Sequence, residues 1–295
     1  MASITYEQFM LRVSNFLDRF EQTLPHEADT LDWRDVLAAR WMSEGQGGWL
    51  RPLHTDLSMT VNDLIGVDRQ KALLDANTRQ FVNGLPANNV LLWGARGTGK
   101  SSLIRALLAQ YAESGMRLIE IDKGDLVHLP AVVETIKGLP WRFVLFCDDL
   151  AFEADDSAYK TLKTVLDGTV EATPDNLLLY ATSNRRHLLP EQRSDNAAAS
   201  MVDGELHPGE AIEEKIALSD RFGLWVSFYP FSQEHYLQVT RHWIGVLAEQ
   251  HGLQWEWDKS LELEAIRWAS SRGNRNGRCA YQFARSWTGR ALLTT

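Results

Sequence analysis

Gly94-Ala95-Arg96-Gly97-Thr98-Gly99-Lys100-Ser101 is the stretch that decides the fold. It fits the pattern G-x-x-x-x-G-K-[ST]. Glycines there let backbone N–H groups converge on phosphate oxygens without a Cβ in the way. In such a loop Lys100 reaches the β- and γ-phosphates of a nucleoside triphosphate, and the Ser101 hydroxyl ligates Mg²⁺. Asn89 to Trp93, just before it, reads as a buried strand, and Ser102 to Leu108, just after it, as a helix. That helix aims its positive N-terminal end at the phosphates. Gly94, Ala95, Arg96, Gly97, Thr98, Gly99, Lys100, Ser101 and Ser102 are therefore the expected nucleotide-binding residues.

About fifty residues on, Phe143-Val144-Leu145-Phe146-Cys147 is an apolar strand that ends in Asp148-Asp149. The expected roles are Asp148 as a Mg²⁺ ligand and Asp149 as the group that orients or deprotonates an attacking water. Glu153 is the alternative base. No Asn-Lys-x-Asp segment follows, which counts against a GTPase. A further strand, Asn176 to Thr182, closes on Ser183-Asn184. Its Asn184 amide can donate a hydrogen bond to a γ-phosphate or to the water.

Between these motifs the chain alternates short apolar strands, at Arg117–Ile121 and Leu224–Phe228 among others, with helical patterns such as Pro130–Lys137 and Ser157–Leu166. This rhythm implies a parallel sheet covered on both faces, with ligands at the carboxyl ends of its strands. Beyond Pro230 only helices are expected. One is capped by Ser232, and two more run over Leu261–Ser271 and Arg278–Leu293.

The order of these elements resembles the AAA+ ATPase superfamily over about residues 60–295. Phe146 to Glu153, Thr182 to Pro190 and Leu218 to Leu224 resemble more narrowly one bacterial clade, catalogued as a domain of unknown function with predicted ATPase activity. The resemblance implies an α/β P-loop NTPase fold: a parallel five-stranded sheet sandwiched by helices, with a C-terminal helical lid. It also implies that Leu64-Ile65-Gly66 lines an adenine pocket, with Ile65 in contact. Arg221 would be the finger that reaches a neighbouring subunit's γ-phosphate, and Arg278 the sensor that folds the lid over ATP, with Arg275 as its alternative. Many members carry Asp-Glu where this chain has Asp148-Asp149.

Ahead of this region, Phe9, Val13, Phe16, Leu17, Phe20 and Leu24 recur at helical spacing, and Asp32 can cap a second helix to Met42. The expected division is thus a helical N-terminal segment over 1–60, a nucleotide-binding domain over 61–229 and a lid over 230–295. Glu191 to Gly209 reads as a long insertion without periodicity.

The 295 residues carry 30 basic and 39 acidic side chains, a net charge of −9. That balance argues against general phosphate-backbone binding by the whole surface. Residues 265–295 nevertheless hold Arg267, Arg272, Arg275, Arg278, Arg285 and Arg290 and no acid. No apolar run approaches the ~20 residues of a membrane span. Cys147 and Cys279 form no C-x-x-C pair, which fits a reducing compartment. The expectation is a soluble cytoplasmic ATPase, a homo-oligomer when ATP-bound, that switches or remodels a macromolecular partner. Protein is favoured as that partner. A DNA-associated loader or initiator is the alternative, and an ATP-gated module that does not hydrolyse is a third reading.

Overall fold

The computed structural model describes residues 10, 12, 13, 31–45, 47–152, 157–167, 174–186, 188, 200–202, 205–207, 218 and 220–294. Most of the helix expected near residues 6–24, Glu153 and most of the 191–209 insertion lie outside them.

All five anticipated parallel strands form: β3 (Val90–Gly94), β4 (Met116–Glu120), β5 (Arg142–Cys147), β6 (Leu177–Ser183) and β9 (Leu224–Phe228). Two further strands, β1 (Ala38–Glu44) and β2 (Gly47–Pro52), extend one edge, giving the order β2-β1-β4-β5-β6-β3-β9. Every neighbouring pair is parallel except the β1–β2 hairpin.

The period of two along each strand sorts its side chains between two cores. Leu91, Ile119, Phe143, Leu145, Leu179 and Ala181 face one side. Val90, Leu92, Leu118, Val144, Phe146 and Tyr180 face the other. Helices α3 (Leu129–Ile136) and α4 (Ser157–Asp167) cover the first face. The second is covered by α1 (Asp68–Val82) and α2 (Lys100–Tyr111). The result is the three-layer sandwich the alternation implies.

A third core belongs to α5 (Gln233–Gln250), α6 (Lys259–Ser271) and α7 (Gly277–Thr294), built around Tyr236, Ile244, Ala265 and Phe283. The caps are those the residue types favour. Ser232 Oγ accepts the His235 N–H at 3.1 Å, and Asp258 Oδ1 accepts that of Leu261 at 2.8 Å.

The helix expected from Asp32 to Met42 does not form, and residues 31–60 are not a helical segment. The Asp32 carboxylate accepts the Arg34 N–H at 3.0 Å, and its carbonyl accepts that of Val36 at 3.0 Å. Asp32 therefore closes a turn, and the chain leaves it extended. Ala38, Ala39 and Arg40 pair with Leu118, Ile119 and Glu120, while Trp41 pairs with Leu50 across the hairpin. Trp33 and Trp41 are buried in the core, Trp33 edge-on to Phe143 at 4.9 Å. A run this short fits either period, and here the open edge of β4 offered pairing that outweighed helix propensity. The insertion also carries regular structure: β7 (Ser200–Val202) and β8 (Glu205–His207) form an antiparallel hairpin.

Candidate active site

β3 ends at Gly94, whose φ of +125° is open to glycine, and a Cβ there would fall 2.0 Å from the Phe228 carbonyl oxygen. The chain can turn off the sheet at this point only because that atom is missing. Gly99, also left-handed at φ +101°, starts α2. Lys100 is buried, and its Nζ donates to the carbonyls of Gly94 at 2.9 Å and Ala95 at 2.8 Å. It also approaches Asn184 Oδ1 at 3.5 Å. Burial pushes its pKa below the usual lysine value, against the opposing pull of Asp148 and Asp149. An anion in the loop would reverse that penalty by pairing with the charged form.

The acid pair sits at the exit of β5. Asp148 Oδ1 accepts the Ser101 hydroxyl at 2.7 Å and also the Thr182 hydroxyl. Thr182 Oγ1 in turn accepts the Asp149 N–H at 2.9 Å. Asp149 stands at φ +53°, the one non-glycine left-handed residue among those described. Aspartate visits this region more readily than most residues, and strain of this kind concentrates at functional sites. One carboxylate oxygen of Asp149 accepts from Asn184 Nδ2, and the other lies 3.9 Å from the Arg96 guanidinium. Two segments remote in sequence, the phosphate loop and the end of β6, thus converge on one pair of carboxylates.

The donors at this point, Ser101 Oγ and Asp148, are all oxygen, the set that suits a hard cation such as Mg²⁺. Among the described residues no group of three His, Cys, Asp or Glu could hold a metal alone. That pattern fits an ion completed by phosphate oxygens and water rather than a protein cage.

A cleft of about 570 Å³ opens above the loop. Arg96 to Ser102, Asp148, Asp149, Thr182 and Asn184 line one end. Met59, Leu64, Ile65, Trp243 and Tyr281 line the other, with Arg278 entering from α7. The aromatic wall comes from the lid, where Trp243 meets Tyr281 edge-on at 4.9 Å. The lid is pinned to the linker before α1 at two places. His235 Nε2 lies 2.7 Å from the Ile65 carbonyl, and His242 Nε2 lies 3.0 Å from Asp63 Oδ1.

Of the residues singled out from the sequence, Ile65, Arg96 to Ser102, Asp148, Asp149, Asn184 and Arg278 line this one cleft. Gly94 and Ala95 underlie it through their carbonyls to Lys100. Arg275 is exposed and does not line it. Arg221 does not line it either. It sits in the turn that enters β9, its N–H donating to the Leu218 carbonyl at 3.2 Å. Because β9 runs parallel to β3 with Leu224 beside Val90, that turn lies a strand's length, roughly 15 Å, from the phosphate loop. Thr182 escaped the sequence reading although it lies on β6 only two residues before Asn184. Met59, Asp63, Trp243 and Tyr281 carried no local signal, since only the tertiary fold brings them together.

Among solved structures, the chain is similar to a point mutant of RuvB from Thermotoga maritima, at 15% identity and TM-score 0.51, over 78% of this chain and 64% of that one. It is also similar to Aeropyrum pernix ORC1 solved in complex with DNA, at 13% identity and TM-score 0.50, over 78% and 61%. The chain spans less than two thirds of the length of either. At these identities the likeness is one of fold, and the fold is that of an AAA+ P-loop NTPase. No curated protein matches. A family model matches residues 34–291, most of the molecule, and the chain belongs to the family it defines, described as "Protein of unknown function (DUF815)".

Proposed function

We propose that the chain binds ATP with Mg²⁺ between its sheet domain and its lid, and hydrolyses it to drive a change in a macromolecular partner. The observation that carries this reading is the single cleft in which the Lys100 ammonium, the Ser101–Asp148 oxygen pair and the left-handed Asp149 meet. Loop amides and Lys100 bind the triphosphate. Ser101 and Asp148 hold the metal, which supplies neutralising charge to the phosphates when bound. Asp149, steadied by Asn184 and the Thr182 bridge, accepts the proton of the attacking water. Arg278 enters from the lid and senses the nucleotide, so that binding and lid position are linked.

Arg221 acts in a neighbouring copy. It lies at the far end of the strands from its own loop, so a head-to-tail packing of subunits would bring it to the next site.

The partner is read two ways. The net charge of −9 supports a protein partner. DNA is supported by the six exposed arginines of residues 265–295, among them Arg267, Arg272 and Arg285, and by the fold shared with an ORC1 solved in complex with DNA. Asp149→Asn tests the chemistry and separates the partners. The amide cannot take a proton, so hydrolysis should fall by about 10²–10⁴ while Mg²⁺-ATP still binds. The ATP-loaded variant should then retain its partner, and the captured material is scored for protein and for nucleic acid. Undiminished turnover in Asp149→Asn would move the base elsewhere.

A further inference from the structure

The lid touches the phosphate loop directly through the start of α7. Asn276 uses both ends of its amide. Its Oδ1 accepts the Cys279 N–H at 2.8 Å, capping the helix, and its Nδ2 donates to the Arg96 carbonyl at 3.2 Å. Two residues on, the Arg278 N–H points at the Gly97 carbonyl at 3.3 Å. The approach is close enough to dictate residue type on both sides. A Cβ on Gly97, left-handed at φ +73°, would lie 2.8 Å from Asn276 Cγ, and one on Gly277 would lie 3.1 Å from the Gly97 oxygen.

Arg96 carries this contact onward. Its backbone is held by the lid, and its guanidinium lies 3.9 Å from Asp149 Oδ2. Both side chains are largely exposed (78% and 61%), so the pair adds little to stability. Asp149 is gripped on one oxygen by Asn184 and faces Arg96 with the other.

We infer that Asn276 is a positioning residue through which the lid sets the phosphate loop at Arg96, and through Arg96 the carboxylate of Asp149. This rests on the ATPase reading above and deepens it: lid position would govern the water-activating group as well as nucleotide affinity. Nothing in the loop motif or in the lid arginine requires such a link, because an uncharged helix cap makes it.

Asn276→Ser separates capping from coupling. Serine caps a helix as well as asparagine does, yet its hydroxyl is too short to reach the Arg96 carbonyl. The expected result is a melting temperature lowered by no more than about 2–4 °C and a kcat lowered roughly two- to tenfold, the worth of one hydrogen bond. A double-mutant cycle with Arg96→Ala then tests the route. If Arg96 transmits the effect, Asn276→Ser lowers kcat in the wild type and leaves it unchanged in the Arg96→Ala background. Equal losses in both backgrounds, or a wild-type kcat in Asn276→Ser, would overturn the inference. Lys100→Ala is run alongside. If it too binds and turns over ATP normally, the ATPase reading has failed. If it is dead while the cycle is additive, only the coupling has.

Discussion

At the phosphate end of the cleft, the loop and the side chains around the acid pair come from the exit ends of neighbouring strands in one sheet. Ala95 to Lys100 follow β3, Asp148 and Asp149 follow β5, and Asn184 follows β6. At the other end the walls come from elements that share no strand. Asp63 and His242, which meet at 3.0 Å, are 179 residues apart, and Trp243 and Tyr281 sit on different lid helices. The first end is polar, glycine-rich and built on the central sheet. The second is apolar and depends on where the lid lies. The difference implies a division of labour: changes at the acid pair should alter rate, and changes at the aromatic wall of the lid should alter affinity.

The largest expected effect is on rate and comes from outside the subunit. Arg221→Ala should retain ATP affinity and lose hydrolysis by about 10³–10⁵, the usual worth of an arginine finger. Mixing it with Lys100→Ala should restore part of the activity, since each variant supplies the part the other lacks. Turnover that is independent of protein concentration, with no rescue in the mixture, would make Arg221 a structural residue.

Trp243→Ala should show the opposite signature. Loss of an aromatic wall weakens base binding by about tenfold in Kd, while kcat at saturation stays at the wild-type value. A kcat loss without a change in Kd would erase the distinction between the two ends.

The smallest effect concerns the clasp at Asp63. Burial alone would raise its pKa, but the Thr60 N–H and hydroxyl and the neighbouring His242 outweigh it and hold the carboxyl below the ordinary 3.8. A carboxyl depressed in the folded state stabilises it above the ordinary value, and that contribution disappears as pH falls through the lowered one. Asp63→Asn should therefore melt about 2–4 °C lower at neutral pH. The gap should close as pH drops below the usual carboxylate range. A constant gap at all pH values would show that packing, not charge, makes the clasp.

The same two ends differ in how far they are legible in the sequence. Lys100, Ser101, Asp148 and Asn184 can be read because phosphate chemistry restricts both residue type and spacing, and strand ends are marked by apolar runs. Asp149 is readable as an acid, but its left-handed backbone is not, since nothing local separates it from Asp148. The lid wall is invisible for a different reason: Trp243 and Tyr281 look like any buried aromatic until the helices are packed. At the opposite edge, Ala38, Ala39 and Trp41 fit a helix as readily as a strand, and only the free edge of β4 decides between them.

The central claim is that the loop and the acid pair form one Mg²⁺-ATP site. Calorimetric titration of Mg²⁺-ATP into the wild type and Lys100→Ala tests it most directly. The wild type should bind saturably with one site per chain. The variant should show no binding, because the ammonium that offsets the β/γ charge is gone. Wild-type affinity in Lys100→Ala would contradict the account.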